Sequence, residues 1–233
     1  FADDTYLVVP SVNTGTCEEE IAHVRDWACA NNLTLNQSKS QELLVITPGV
    51  RGAGTRLNPP PTIPNIERVQ SLSVLGVVVN ERLSTEDHVA KIIAGSSKAL
   101  YALRVLRTHG MTTPALQIVF QATVLSKIIY CSPAWSGFCR ATDMAQMEAF
   151  LRRSKRSGYC AENTPDIIKL FKDADCSLLK RILANPQHTL HYLLPPLNNH
   201  PYSLRPRPHN HQLPSKRTAL VAANFLNRTL YFH

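Results

Sequence analysis

The chain has 233 residues, 44% of them apolar, and a formal net charge of +8, which is enough for one large domain or two small ones with a packed core. Its six cysteines include no C-x-x-C pair, which argues against a zinc ribbon or a disulfide framework and for a reduced intracellular protein. No apolar run reaches the roughly 18 to 20 residues of a membrane helix, and the opening Phe1 to Pro10 carries neither a signal-peptide pattern nor an initiator Met, so it reads as the start of a fragment.

The charge is unevenly placed. Residues 1–90 carry 6 Lys/Arg against 11 Asp/Glu, a net of −5, whereas residues 91–233 carry 19 against 6, a net of +13. An acidic front can hold metal ions, and a basic back can follow a phosphate backbone or simply be a solvated face.

In chain order, Thr5 to Val9 is β-branched and aromatic and stops at Pro10, as a strand would. Residues 16–33 read as an amphipathic helix, with Thr16 and Glu19 at capping-box spacing and Ile21, Val24, Trp27 and Ala28 on one stripe. Asn31-Asn32 suits its exit. A second strand is expected over Leu43 to Thr47, then a Gly- and Pro-rich loop over 48–64. A hairpin follows, with strands near 66–72 and 74–79. From Glu86 the period turns helical, with Val89, Ile92, Ile93, Leu100, Leu103 and Leu106 on one stripe, and His109-Gly110 ends it. Helices are expected over 115–130, with Pro114 in the first turn, and over 143–156, 165–172, 176–184 and 218–230. Residues 195–217, dense in Pro, Asn, His and Arg, read as irregular. Strands followed only by helices give an α+β class.

Asp3 and Asp4 are adjacent carboxylates just before an apolar strand. Alone the doublet reads as an exposed turn; at a hairpin tip it would suit divalent cations, which cancel the repulsion. The context points to the second reading. Phe1-Ala2-Asp3-Asp4 followed by Thr5 to Val9 resembles the aromatic-x-Asp-Asp motif of reverse transcriptases. Trp27, Asn31 or Asn32, Leu33, Leu35, Asn36 and Lys39 are similar to the pattern of LINE-type (non-LTR) retrotransposon enzymes. So are Val74-Leu75-Gly76-Val77, Asn80, Leu83 and His88-Val89, then Tyr130 to Trp135, and then Tyr202 to Arg207. The resemblance covers essentially the whole chain, and a jockey-like lineage fits it.

That resemblance implies a partial polymerase palm over 1–84, a helical thumb-like region over 85–160 and a C-terminal helical extension over 161–233. It implies a catalytic and metal-binding pair, Asp3 and Asp4, holding two Mg²⁺ with a third Asp from an earlier strand. Lys39 would be the acid that protonates pyrophosphate, or else an ordinary surface lysine. Phe1 and Ala2 would lie close to the primer end, and Leu75 and Gly76 would belong to the hairpin that grips the primer, or else to a plain buried strand. The partners implied are an RNA template, a DNA primer and dNTPs. The third Asp and the fingers do not precede Phe1 here, so the polypeptide by itself is expected not to polymerise DNA.

Arg104 and Arg107, and then Arg152, Arg153, Lys155 and Arg156, cluster near helix ends. They are candidates for contact with a nucleic-acid backbone, although cations in a last turn also complement the helix dipole. The histidines at 188, 191, 200, 209 and 211 lack cysteines at ligand spacing and read as polar linker residues. The function expected is therefore that of an RNA-directed DNA polymerase fragment. The alternatives are a non-catalytic nucleic-acid-binding relic of a mobile element, and an interaction protein with a coincidental Asp-Asp.

Overall fold

A computed structural model describes residues 4–45, 59–198 and 209–232. The chain is α+β, mostly helical with a few short strands. It divides into two compact units, Phe1–Leu72 with Asn80–Arg82, and Ser73–Val79 with Leu83–His233.

In the first unit, residues 4–10 adopt no regular structure, where a strand was expected over 5–9. Strand propensity is expressed only when a neighbour satisfies the backbone, and among the described residues nothing pairs with this segment. Tyr6, Leu7 and Val8 are exposed. Helix α1 (Cys17–Ala30) follows a 3₁₀ turn, Ser11–Thr16. The capping box does not form: the Thr16 hydroxyl donates to the Asn13 carbonyl at 2.9 Å instead of accepting from α1. Asn31 and Asn32 end the helix as expected, Asn32 at φ 57. Trp27 departs from the expected buried stripe and is 62% exposed, while Ala28 is buried.

Strand β1 (Gln41–Leu43) pairs in parallel with β2 (Glu67–Val69). Glu42 and Arg68 stand opposite each other in this register, and the guanidinium donates to the carboxylate at 2.8 and 3.1 Å. Arg68 also donates to the carbonyls of Pro60 and Pro61. The strand expected at 66–72 is therefore two strands. The ion pair ties its first half to β1, and its second half, β3 (Ser71–Val74), pairs with β4 (Val77–Asn80).

The second unit is built on helices. Helix α2 (Glu86–Thr108) begins where the sequence places it and buries Val89, Ile92 and Leu103. Leu106, expected on that stripe, is partly exposed. Residues 115–130 are not one uniform helix. Helix α3 (Thr113–Phe120) passes into a π segment, Gln121–Leu125, and then α4 (Ser126–Ile129). The hydroxyls of Thr123 and Ser126 donate back to the carbonyls of Val119 and Ala122, a competition with the helical ladder that loosens such a segment. Cys131, at φ 50, turns the chain into α5 (Ser132–Trp135) and a 3₁₀ turn, Ser136–Phe138. Counted together, Thr113–Phe138 is long and apolar enough to cross a membrane by length and composition, contrary to the expectation from apolar runs. The hydropathy comes from spaced positions, and Leu116, Phe120, Val124, Ile128 and Trp135 among them are buried in the helical core.

Helix α6 (Ala141–Arg156) supplies Met147, Phe150 and Leu151 to that core. The two short helices expected over 165–184 are one, α7 (Ile167–Ala184), capped by the Asp166 side chain. Its Ile167 and Phe171 enter the main core, while Leu179 and Ile182 form a second core with Phe225. The last expected helix is split into α8 (Ala219–Ala223) and α9 (Phe225–Phe232). Between α7 and α8, Leu197 bridges His211, and the rings of His209 and His211 bond the carbonyls of Leu230 and Pro195; residues 199–208 of that segment lie outside the described residues.

Arg228 fixes the C-terminal helices to the core. Its guanidinium meets both oxygens of Asp175 on α7 at 2.8 and 2.9 Å and donates to the carbonyls of Ala223 and Pro133 and to the Ser136 hydroxyl. The two side chains are 11% and 13% exposed. The backbone also approaches closely here: a Cβ on Gly137 would lie 2.1 Å from the Ala223 carbonyl oxygen. Arg228→Ala is expected to destabilise the second unit by about 3–5 kcal/mol, because it strands a buried carboxylate. Gly137→Ala should cost about 1–3 kcal/mol or more by overpacking. Urea unfolding monitored by tryptophan fluorescence checks both, and midpoints equal to that of the wild type would contradict this account.

Candidate nucleic-acid interface

The acidic doublet is only half visible. Phe1, Ala2 and Asp3 lie outside the described residues, and Asp4 is exposed in a stretch without regular structure. Lys39 is exposed in a 3₁₀ turn, Gln37–Lys39, whose N-cap Asn36 side chain accepts from the Lys39 amide at 3.3 Å. No bond joins Asp4 to Lys39 among the described residues. Nor do the described residues gather three or more His, Cys, Asp or Glu side chains able to hold a metal ion.

The β3–β4 hairpin turns at Leu75 (φ 47) and Gly76 (φ 86). Positive φ at both positions is the type I′ geometry, which favours Asn-Gly, so Leu75 is held in a left-handed conformation that its Cβ disfavours. The Tyr130 hydroxyl donates to the Leu75 carbonyl at 3.1 Å, and a Cβ on Gly76 would lie 3.3 Å from the Tyr130 ring. The space left by the missing side chain thus faces Tyr130. Leu75 itself is 51% exposed.

Below the tip, the Val78 amide donates to Nδ1 of His88 at 3.2 Å. This places the proton of the neutral ring on Nε2. His88 meets Trp135 edge-on at 4.8 Å between centroids, and Trp135 meets Phe171 in the same way at 5.2 Å. Burial, and secondarily the charge of Lys91, push the His88 pKa below its usual value.

The basic residues near helix ends divide by task. Arg107 is structural: it donates to the Ser157 carbonyl at 2.8 Å, and its guanidinium lies 3.7 Å above the Tyr159 ring. The Lys155 ammonium donates to the carbonyls of Glu162 and Thr164 and holds that loop against α6. The end of α6 is closed by Gly158 at φ 73, with the amides of Ser157, Gly158 and Tyr159 bonding the Arg153, Lys155 and Ser154 carbonyls. This leaves no capping task for Arg152, Arg153 and Arg156. They line, with Ala149, Lys155 and Glu162, an open pocket of about 490 Å³. Among the described residues none of the three has an ion-pair partner, and all three are exposed. Free guanidinium forks around a concavity are suited to phosphate oxygens.

A second cationic group escaped the sequence reading. On α2, the exposed residues Asp87, Lys91, Ala94, Lys98, Tyr101 and Val105 recur at alternating steps of four and three, and Arg104 flanks them. Lys127 of α4 reaches this face: its ammonium lies 3.2 Å from the point that a Cβ on Gly95 would occupy. The four-three spacing was legible in the sequence but masked by the stronger apolar stripe on the opposite side of the helix.

Two outcomes follow from the hairpin and its support. Leu75→Asn should stabilise the second unit by roughly 0.5–1 kcal/mol, part of the about 1–2 kcal/mol that left-handed geometry costs an L-residue and that Asn tolerates better; a urea midpoint that stays or falls would contradict the strain. For His88, a folded pKa below the unfolded value means that the unfolded chain binds the proton more readily. Stability should then fall as pH drops below about 6.5, by at most about 1.4 kcal/mol per unit, and level off below the folded pKa. Melting temperatures between pH 8 and pH 5 should show this slope in the wild type and a smaller one in His88→Asn; equal slopes would remove the assignment.

Comparison with family models, with curated proteins and with solved structures returned no match.

Proposed function

We propose that this chain is part of an RNA-directed DNA polymerase of a non-LTR retrotransposon, and that its helical unit holds nucleic acid by the phosphate backbone. In this reading residues 1–84 are a partial palm, 85–160 a thumb-like region and 161–233 a C-terminal helical extension. The family reading is supported by the order and spacing of the motifs from Phe1 to Arg207. The Asp3, Asp4 and Lys39 roles, and the Mg²⁺ ions, rest on the resemblance alone. Binding is supported by one observation above all: three arginines, without ion-pair partners among the described residues, around a concave pocket on α6, whose end is already capped by other groups.

The pocket selects for charge and not for base identity. Guanidiniums at 152, 153 and 156 lie within one turn or so of helix, about 6 Å along its axis, so they address neighbouring phosphates and leave the base edges unread. A non-catalytic nucleic-acid-binding relic uses the same pocket. Template-dependent extension of a primer by the full-length parent reading frame separates the two.

Binding of a fluorescent RNA–DNA primer–template hybrid to the chain, titrated against salt, tests the pocket. Joint replacement Arg152→Gln, Arg153→Gln and Arg156→Gln should reduce the slope of log affinity against log salt by about 2 to 3 units. Joint replacement Lys172→Gln, Lys180→Gln and Arg181→Gln removes equal charge from exposed positions of α7 and should leave most of the slope. Equal losses from the two sets would reduce the pocket to generic basicity.

A further inference from the structure

We propose that the outer face of α2, completed by Lys127, is a separate site for single-stranded nucleic acid, in which a phosphate sits among Lys91, Lys98 and Lys127 while a base stacks on Tyr101. This goes beyond the reading above, since it uses other residues and a different form of the ligand.

The first support is electrostatic. Lys91 and Lys98 each lie about one helical turn from Gly95, on either side of it, and Lys127 comes from another helix to lie over that glycine. Exposed lysines repel one another; the Lys127 ammonium over Gly95 lies between helix positions that both carry lysine, which makes a local excess of positive charge. Among the described residues no ion pair joins any of the three to Asp or Glu. Asp87 stands on the same face, but in the first turn of α2, where the helix dipole favours a carboxylate.

The second support is the aromatic ring. Tyr101 is 67% exposed, although a tyrosine on a helix surface usually gains by packing its ring. It follows Lys98 by three residues, the spacing that makes helix side chains neighbours. A cationic track beside an exposed aromatic face is what an unpaired strand needs: its backbone meets the charge, and its bases are free to stack on the ring. Paired bases in a duplex would not be available to Tyr101, so the ring argues for a single strand.

The third support is Gly95. Glycine in the middle of a 23-residue helix is unfavourable by about 0.8–1 kcal/mol relative to alanine, and φ at this position requires no glycine. A Cβ there would lie 3.2 Å from the Lys127 ammonium and 3.7 Å from its stem, so the bare backbone makes room for that cation between the turns that carry Lys91 and Lys98.

The test uses the full chain with fluorescein-labelled oligo(U) and oligo(dT) of twenty nucleotides, followed by anisotropy. Joint Lys91→Gln, Lys98→Gln and Lys127→Gln should weaken binding at least ten-fold at low salt and reduce the salt slope by about 2 units. Tyr101→Ala should weaken it five-fold or more without changing the slope, and Tyr101→Phe should restore it. Gly95→Ala should raise the melting temperature while weakening binding, a combination that a purely structural glycine does not give. Unchanged binding in Gly95→Ala or in Tyr101→Ala would overturn the site, as would equal weakening by the α7 charge-removal variant, or tighter binding to phosphatidylserine vesicles than to either oligonucleotide. The α6 variant is measured in parallel with the same probes. Loss confined to the α6 set sinks this site and leaves the pocket standing; loss confined to the α2 set does the reverse.

Discussion

Trp135 is the point at which the second unit becomes one structure. Its ring stands edge-on between His88 of α2 and Phe171 of α7, and its indole N–H donates to the Tyr130 carbonyl at 2.9 Å. His88 in turn accepts from β4, and Tyr130 in turn holds the hairpin tip. A single aromatic residue thus links the hairpin to two long helices, with the buried Nε2 of His88 unbonded beside it. The arrangement requires His88 to stay neutral, because a charged imidazole would lose its role as acceptor and would have to be desolvated beside Lys91. The position of the hairpin is therefore set by packing from beneath, which allows a strained Leu75 to remain at its tip.

The cations of the chain fall into two groups that charge alone does not separate. Arg68, Arg107, Lys155 and Arg228 are consumed by the fold: each meets a carboxylate or carbonyls, and Arg228 makes five bonds in a nearly closed site. Among the described residues, Arg152, Arg153 and Arg156, and then Lys91, Lys98 and Lys127, meet no carboxylate or carbonyl in this way. A guanidinium that saturates buried carbonyls cannot be spared for a ligand, whereas one left in water beside a concavity costs the fold little and is available. By this criterion Arg107, which the sequence placed with the binding residues, belongs to the fold. Lys91 and Lys98 of α2 and Lys127 of α4 are exposed instead.

Much of the helical architecture was legible in advance. The start of α2 at Glu86, its exit at His109-Gly110, Pro114 in the first turn of α3 and the extent of α6 all follow from caps and a 3.6-residue period, which are local signals. The strands were less legible. Thr5 to Val9 has a strand's composition and no strand's structure, because a ladder needs a second segment that composition does not supply. Glu67 to Val69 pairs in parallel with β1, a long-range partnership that sets Glu42 opposite Arg68 and that no local signal announces. The capping box at Thr16 failed for a similar reason, since a nearer carbonyl took the hydroxyl.

The sequence by itself determined that the chain is α+β, that its basic charge lies in the helical part, and where most helices begin and end, because these depend on neighbours within a few residues. Only the tertiary structure decided which cations are spent and which are spare, and which residues come together around Gly95, Gly137 and Trp135. Those outcomes depend on side chains tens of residues apart meeting at a few ångströms, and no local period or propensity encodes such distances.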